Sequence, residues 1–191
     1  MKLEFLSFDF DKFANEMRNL KDKKHFDYLV TIVGEDFGEE GLGCIYILEN
    51  TDTHERCSVK MLAKTQVCGD GIASNGTGET DGQVMVYIPT VSNIWRVADL
   101  LEREVYDFFG IVFLGHPDMR RLFLRSDFKG YPFRKDWEFN DKYTLDDDVE
   151  PDYGLEYFID KDGTLQSKKN RLFTADDYVV NIGPQHPSTH G

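Results

Sequence analysis

The chain has 191 residues, of which 40% are hydrophobic and 30% charged, and its formal net charge is -13. This length is enough for one domain with a substantial hydrophobic core. The negative charge repels phosphate backbones and anionic lipid, so nucleic-acid binding and direct bilayer binding are not expected. No apolar run approaches the roughly 20 residues that a membrane span needs, and residues 1–20 lack the layout of a signal peptide.

Three widely spaced cysteines, Cys44, Cys57 and Cys68, form no CxxC pair. A zinc ribbon or an iron–sulfur cluster therefore cannot be assembled from this chain alone. The sequence predicts ordinary thiols in a reducing compartment and no metal site.

The first half of the chain predicts a helix and then strands. Apolar residues at helical spacing over 10–20 indicate an amphipathic helix, with Ser7 or Asp9 able to cap it. Segments rich in β-branched and aromatic residues predict strands at 26–33, 44–49, 58–63 and 84–89. A short polar link between the second and third strands favours antiparallel pairing. The glycine-rich stretch 68–83 lacks a P-loop pattern and predicts a surface loop.

Segment 92–110 gives the strongest helix prediction. Its apolar stripe and its ladder of alternating charges should lie on opposite faces. The stripe comprises Ile94, Ala98, Leu101, Val105 and Phe108, and the ladder comprises Arg96, Asp99, Arg103 and Asp107. Gly110 stands where a C-terminal cap belongs. Glu102 and Glu104 fall among apolar neighbours on the two flanks, which is costly unless a cation meets them.

The next segment, 115–137, interleaves arginines with aromatic and aliphatic residues. Prolines at 117 and 132 exclude a continuous helix, so the segment is expected to be extended and to wrap around the body of the domain. Arginine pairs with carboxylates in a bidentate manner. We therefore expect Glu102 or Glu104 to pair with a nearby guanidinium, that of Arg120 or Arg121. The alternative is that these are ordinary surface charges.

The remaining sequence offers no complete active site. His116 precedes a proline, which is typical of a turn, and no nucleophile elbow or HExxH is present. His186 and His190 have a zinc-like spacing, but Pro184 and Pro187 disfavour the helix that such a site needs. Between 140 and 177 the chain is acidic and rich in turn residues, which predicts a linker with little core of its own.

Residues 102–123, EREVYDFFGIVFLGHPDMRRLF, and the later GYPFRKDW resemble the signature of the C subunit of respiratory complex I, the NADH–quinone oxidoreductase. The resemblance implies structural ion pairs and subunit contacts at the signature positions, which are Glu102, Arg103, Glu104, Asp107, His116, Asp118, Arg120, Arg121, Arg134, Lys135 and Asp136. The terminal NIGPQHPSTHG resembles the first residues of the D subunit, which some bacteria fuse to the C subunit. This resemblance implies a C-like domain at 1–139, an acidic linker at 140–178 and the start of a truncated D-like domain at 179–191.

The predicted elements amount to an α+β fold: a mainly antiparallel sheet of about four strands with helices packed on it, then an extended C-terminal segment. The resemblance implies a scaffold without a cofactor in the peripheral arm, on the cytoplasmic side of the cell inner membrane. It implies contacts with the cluster-bearing B and I subunits and with the rest of the D subunit. NAD, FMN, iron–sulfur clusters and quinone then belong to the whole complex, and no catalytic residue is expected in this chain.

In the D subunit the second histidine of the terminal motif reaches the quinone headgroup. The resemblance therefore implies a quinone-site role for His190, with His186 as a supporting neighbour, when the rest of the D subunit is present. Two alternatives stay open at this point. Membrane-bound [NiFe]-hydrogenases use similar C-like scaffolds, and an autonomous hydrolase could use His116 with nearby acids.

Overall fold

The computed structural model describes residues 5–67, 84–126, 128–138 and 155–169. Along the chain these residues form β1 (Phe5–Ser7), a 3-10 helix (Phe10–Lys12), α1 (Phe13–Asp22), β2 (Tyr28–Asp36), a second 3-10 helix (Gly38–Glu40), β3 (Leu42–Glu49), β4 (Arg56–Leu62), β5 (Lys64–Val67), β6 (Val84–Pro89), α2 (Ala98–Phe109), β7 (Ile111–Leu114), β8 (Leu155–Ile159) and β9 (Leu165–Lys169). The predicted α+β class is confirmed.

The larger sheet has the strand order β1-β4-β3-β2. Strands β2, β3 and β4 are antiparallel, as predicted, and β1 adds a parallel edge. Ile32, Tyr46 and Val59 lie opposite one another in this register and are all buried. Since side chains alternate between the faces of a strand, this register places one apolar face of the sheet in the core.

The strand predicted at 84–89 belongs to a second sheet, of order β5-β6-β7. Here β5 and β6 are antiparallel, whereas β6 and β7 are parallel and are joined through α2. The sequence did not predict β5 or β7, because each has only four residues. Such a short run is too brief to show a period of its own.

Helix α1 packs its predicted apolar face into the core, and the ring centroids of Phe13 and Tyr46 lie 5.3 Å apart. The predicted caps are absent from this helix. Its N-cap is Lys12, which makes no side-chain capping bond, and Asp9 instead precedes the short 3-10 turn without a side-chain bond to it. The backbone bond from Lys12 N to Asp9 O closes that turn (3.0 Å).

Helix α2 begins six residues later than the sequence predicted, at Ala98. Residues 92–97 form turns, in which the N–H groups of Ile94 and Trp95 both donate to Val91 O (2.9 Å each). The predicted cap at Gly110 is confirmed: its φ is 68°, and its N–H donates to Tyr106 O (2.8 Å). This left-handed conformation is one that glycine adopts without penalty.

Strands β8 and β9 form a hairpin within the segment that the sequence predicted to be a linker. Tyr157 and Leu165 are buried, and Gly115 N donates to Tyr157 O (3.0 Å). Gln66 Nε2 also donates to the carbonyl of Gly163 in the hairpin turn (2.8 Å). This part of the predicted linker therefore packs against the domain. The stretch 68–83, most of the predicted linker and residues 179–191 lie outside the described residues.

No helix in the described part of the chain is both long enough and apolar enough to cross a membrane.

Candidate functional site

Residues 115–138, called the strap below, follow β7 and run along α2. The described strap residues form turns and bends, as the prolines at 117 and 132 require. Phe133 N donates to Phe108 O (3.1 Å), so the strap satisfies a carbonyl in the last turn of the helix. The predicted wrapping segment is therefore present, and it clamps α2 against the domain.

The centre of the clamp is a buried ion pair between Asp107 of α2 and Arg121 of the strap. Arg121 Nη1 donates to Asp107 Oδ1 (2.9 Å) and to its backbone O (3.0 Å). Arg121 Nη2 donates to the carbonyls of Phe128 and Gly130 (3.1 Å each). Asp107 is 0% exposed. Asp107, which the sequence analysis placed in the charged ladder and among the signature positions, is buried because the strap covers that side of the helix.

The second carboxylate oxygen of Asp107 organises the strap backbone. Asp107 Oδ2 accepts from the N–H groups of Leu122 (3.1 Å), Phe123 (2.6 Å) and Leu124 (2.9 Å). Three successive amides aimed at one anion form a concave, nest-like arrangement. Because buried N–H groups need partners, this single carboxylate sets the path of the strap at its midpoint.

A second set of contacts between α2 and the strap lies one helical turn before Asp107. It involves Arg103 of α2 and Asp118 of the strap. Arg103 Nε donates to Arg120 O (3.0 Å), and its Nη2 donates to Arg121 O (3.2 Å). Asp118 accepts bidentately from Arg120, whose Nη2 lies 2.9 Å from Asp118 Oδ2, while Arg103 Nη1 lies 3.8 Å from the same oxygen. Arg103, like Asp107, therefore faces the strap and not bulk solvent.

Arg134 closes the C-terminal end of α2. Its Nε donates to Phe109 O and its Nη2 donates to Gly110 O (3.4 Å). A cation at this end of a helix is favourable, because the last carbonyls carry partial negative charge. The guanidinium carbon also lies 4.7 Å from the centroid of the Tyr131 ring. Burial lowers the pKa of Arg134, against the opposing effects of Tyr131 and Asp136.

Glu102 is 0% exposed and lies on the inner face of α2. Its Oε1 accepts from Val91 N (2.7 Å), and its Oε2 is bonded to Thr90 Oγ1 (2.5 Å). Burial raises the pKa of Glu102 to about 8, although the bonds from Thr90 and Val91 oppose that shift. The expected cation is not its partner: nearest is His116, whose Nε2 lies 3.9 Å from Oε2.

The predicted pairing of a glutamate with Arg120 or Arg121 is wrong, since Asp118 and Asp107 hold those two arginines. Glu104 is exposed on α2. The contribution of Thr90 to the burial of a glutamate was not predicted either. The available signal was its position directly after β6, where a hydroxyl can reach the helix that follows.

His116 is fully buried and both of its ring nitrogens are engaged. Asp118 N donates to Nδ1 (3.0 Å), so the proton lies on Nε2, which is 3.1 Å from Asp99 O and 3.0 Å from Asp99 Oδ1. Burial lowers the pKa of His116, although Asp99 opposes that effect. A neutral imidazole held in this way suits the predicted turn and argues against a catalytic base.

Lys135 and Asp136, at the end of the signature, have exposed side chains. The backbone of Lys135 is nevertheless fixed, because its N–H donates to Asp36 Oδ2 (2.9 Å). This bond and the one from Gly38 N lower the pKa of Asp36. The far end of the strap is thus tied to the end of β2.

The described ranges contain few side chains suited to catalysis or metal binding. Cys44 and Cys57 are free, and burial raises the pKa of both thiols, which makes them weak nucleophiles. Over residues 5–67, 84–126, 128–138 and 155–169, no group of three or more His, Cys, Asp or Glu side chains is arranged to hold a metal ion. Cys68, His186 and His190 lie outside the described residues.

A similar fold is found in one solved structure of a respiratory membrane complex. The chain matches a chain of the archaeal membrane-bound sulfane sulfur reductase with a TM-score of 0.53 and 23% identity, over 79% of this chain and 88% of that one. At that identity the match shows the fold alone. Residues 6–143 match the family model of the respiratory-chain NADH dehydrogenase 30 Kd subunit. The chain belongs to this family.

Curated relatives carry the same assignment in their names. The chain is 42% identical to an NADH-quinone oxidoreductase C/D subunit of Phocaeicola vulgatus over 95% of its length, and 41% identical to one of Bacteroides fragilis over 93%. It is 37% identical to an NADH-quinone oxidoreductase C subunit of Chloroherpeton thalassium over 64% of its length and 44% of that protein. The chain spans only 32% of the length of the two C/D relatives.

Proposed function

We propose that this chain is a scaffold in the peripheral arm of a proton-translocating NADH–quinone oxidoreductase and supports electron transfer from NADH to quinone. One observation carries the proposal: the α2–strap clamp engages its charged residues in internal bonds. Asp107, Arg121 and Arg103 hold the strap to the helix, and Arg134 caps the helix. These internal bonds fix the strap rigidly to α2. In the proposed arrangement, the electron-transfer reactions take place in neighbouring subunits.

The proposal assigns cofactors and partners to the rest of the assembly. NAD, FMN, the iron–sulfur clusters and quinone are held by other subunits, and this chain contacts the B and I subunits and the D part. The complex lies at the cytoplasmic side of the cell inner membrane. The support for this assignment is the family membership and the names of the C/D relatives.

The proposed domain plan is supported by the C/D names of the same relatives. Residues 1–139 form the C-like domain, 140–178 connect it, and 179–191 begin the D-like part, in which His190, with His186 beside it, lines the quinone site. The hairpin β8–β9 lies inside the connecting segment and packs against β7 and β5 through Tyr157 and Gln66. The connection is therefore anchored to the C-like domain through this hairpin.

An affinity-tagged copy of this chain, expressed in its own cells, tests the proposal. We expect the tag to recover an assembly that oxidises NADH with quinone as acceptor and contains iron–sulfur subunits. Removal of the gene should abolish that assembly, and a plasmid copy should restore it. Recovery of the chain without such subunits, or with a hydrogenase large subunit, would overturn the assignment.

A further inference from the structure

The buried carboxyl group of Glu102 has a hydrogen-bonded route to the edge of the core. Its Oε2 is bonded to Thr90 Oγ1 (2.5 Å), and Thr90 Oγ1 is bonded in turn to Ser92 Oγ (2.8 Å). Glu102 and Thr90 are 0% and 7% exposed, whereas Ser92 is half-buried and the next residue, Asn93, is exposed. The three oxygen atoms therefore form a connected row that runs from the core towards solvent.

The hydrogens of this row can be assigned one by one. Glu102 Oε1 accepts from Val91 N (2.7 Å), so the proton of the neutral acid lies on Oε2 and is donated to Thr90 Oγ1. Thr90 Oγ1 also accepts from Ser92 N (3.1 Å). A hydroxyl group has one hydrogen and two acceptor positions. The hydrogen of Thr90 is therefore directed at Ser92 Oγ, and the hydrogen of Ser92 is left for solvent.

Ionisation of Glu102 needs only a shift of hydrogens along these bonds. When a hydroxide ion accepts the Ser92 hydrogen, the Thr90 hydrogen passes to Ser92 Oγ and the Glu102 proton passes to Thr90 Oγ1. Each O–H bond that breaks is replaced by one on the next oxygen, so one proton leaves and no electrons are transferred. The carboxylate then accepts from Thr90, and 2.5 Å is a length typical of a charge-assisted bond from a hydroxyl to a carboxylate.

His116 also lies near Glu102, but it is not placed to carry this proton. Its Nε2 is 3.9 Å from Glu102 Oε2, which is beyond hydrogen-bond distance. The hydrogen on Nε2 is directed at Asp99, and Nδ1 already accepts from Asp118 N. The hydroxyl groups of Thr90 and Ser92 are therefore the better route.

The titratable groups around Glu102 favour the neutral acid at neutral pH. Burial raises the pKa of Glu102 to about 8, and the negative charge of Asp99 adds to that effect. Cys44 and Tyr46 are within electrostatic range on β3, and burial raises the pKa of both, so they stay neutral. The other titratable side chains of the elements around α2 are Arg103 and Asp118 beside His116, Tyr87 of β6, and Tyr28, Glu35 and Asp36 at the two ends of β2.

We propose that Glu102, Thr90 and Ser92 form a proton-exchange site, in which the two hydroxyl groups relay a proton between the buried carboxyl group and solvent. This inference goes beyond the proposed scaffold role, because it gives the domain a group that binds and releases a proton without unfolding. It does not depend on the assembly that the chain joins.

Infrared spectroscopy after a rapid pH change tests the relay in this chain. The carboxylic C=O stretch of Glu102 is identified as the band that Glu102→Gln removes. A jump from about pH 6 to about pH 8.5, and the reverse jump, follow the loss and the recovery of the proton. Thr90→Val keeps the shape of the side chain but removes the hydroxyl, and we expect both rates to fall by about tenfold or more. Ser92→Ala, which leaves the bond between Thr90 and Glu102 intact, should also slow both rates.

The two directions of the jump separate a relay from a change in acid strength. Thr90→Val removes a bond that lowers the pKa of Glu102, and a change of pKa alone alters the ratio of the two rates. Loss of the relay slows both directions together. Thr90→Ser retains a hydroxyl and should restore both rates. The matched control is Thr51→Val, which removes an exposed hydroxyl bonded to Asp27 Oδ2 (2.6 Å) and should leave both rates unchanged.

Three results would overturn the relay. Rates in Thr90→Val and Ser92→Ala equal to those of the parent chain would show that the proton takes another route. A missing Glu102 band at pH 6 would show that the buried group is already ionised. Proton loss from Glu102 as slow as the opening measured by hydrogen exchange at Val91 N–H would assign it to local unfolding. If Thr90→Val does not fold, Ser92→Ala alone decides.

Discussion

Glu102 and Asp107 lie five residues apart on α2, and both are fully buried carboxyl groups with different physical roles. Asp107 meets a guanidinium and three backbone N–H groups, so its charge is compensated. Glu102 meets one N–H and one hydroxyl, which compensate a full charge poorly, and burial raises its pKa to about 8. At neutral pH Glu102 is therefore mainly the neutral acid.

The pH dependence of stability should report this difference. An unfolded glutamate titrates near 4.5, and folded Glu102 near 8. Between these values the folded state holds a proton that the unfolded state releases. The stabilisation that Glu102 gives to the folded state is therefore complete below pH 4.5. It is lost as the pH rises to about 8, and the free energy of unfolding falls by up to about 1.4 kcal/mol per pH unit. Glu102→Gln, which imitates the neutral acid, should remove this slope.

Urea denaturation of both proteins from pH 5 to pH 8.5 measures the effect. His116 contributes with the opposite sign, since its lowered pKa makes its contribution vanish as the pH falls. The comparison of Glu102→Gln with the parent chain isolates Glu102, because His116 is present in both. Parallel stability curves for the two proteins would show that Glu102 is ionised in the folded state.

The ion pair between Asp107 and Arg121 should contribute most of the free energy that holds the strap against α2. Asp107→Ala leaves Arg121 and three strap N–H groups without their acceptor, and we expect a loss of about 3–5 kcal/mol in the free energy of unfolding. Glu104→Ala on the exposed side of the same helix should change it by less than about 0.5 kcal/mol. Chemical denaturation of both variants at pH 7 provides the measurement. Equal losses in the two would refute the clamp.

At the scale of the elements, Gly110 joins the end of α2 to the strap. Its φ is 68°, and a Cβ there would collide with the Tyr131 ring and the Arg134 guanidinium. Gly110→Ala should therefore incur both the left-handed backbone penalty, about 1 kcal/mol, and a steric cost. Gly163→Ala is the matched control, because φ there is 79° and no atom lies within 4 Å of the added Cβ.

Thermal unfolding of the two glycine variants gives the comparison. The difference in melting temperature between them reports the packing of the strap against the helix end, since the backbone penalty is common to both. A melting temperature for Gly110→Ala equal to that of Gly163→Ala would mean that Tyr131 and Arg134 move aside without cost.

The hairpin β8–β9 decides whether the connecting segment belongs to the domain. Leu165 is fully buried, whereas Ile159 is 41% exposed. Leu165→Ala should lower the free energy of unfolding by about 2–3 kcal/mol through lost burial and a cavity, and Ile159→Ala by less than about 1 kcal/mol. Denaturant midpoints of both variants test this. An unchanged denaturant midpoint for Leu165→Ala would mean that the hairpin does not unfold cooperatively with the core of the domain.

At the scale of the whole molecule, a scaffold and a catalyst respond differently to the same mutation. Asp107→Asn weakens the clamp but touches no cofactor in the proposed arrangement. We expect a lower yield of assembled NADH–quinone oxidoreductase, with the turnover number per assembled complex within about twofold of the parent value. Native gels quantify assembly, and NADH oxidation normalised to flavin measures turnover. Full yield with reduced turnover would point to a role in the reaction itself.

Most elements could be predicted from local sequence, while their pairing partners could not. Strand β6 was predicted with its observed bounds, and Gly110 was predicted as a cap, because period and cap chemistry are carried by adjacent residues. Asp107 was assigned to the charged ladder opposite the apolar stripe of α2, but its burial depends on what covers that side of the helix. The strap that covers it is recognisable only as a non-helical basic segment, and the contacts of its arginines are not encoded by spacing.

The sequence by itself determined the family, the α+β class, the two helices and the position of Glu102 among apolar neighbours, but it predicted the same partial cover for Glu104, which is exposed. The tertiary structure alone decided that Asp107 and Asp118 hold the arginines, that Thr90 and Val91 meet Glu102, and that a hairpin returns to the core. Periodicity and capping are short-range properties of the chain. Ion-pair partners are chosen by burial and geometry across many residues, which only the folded chain brings together.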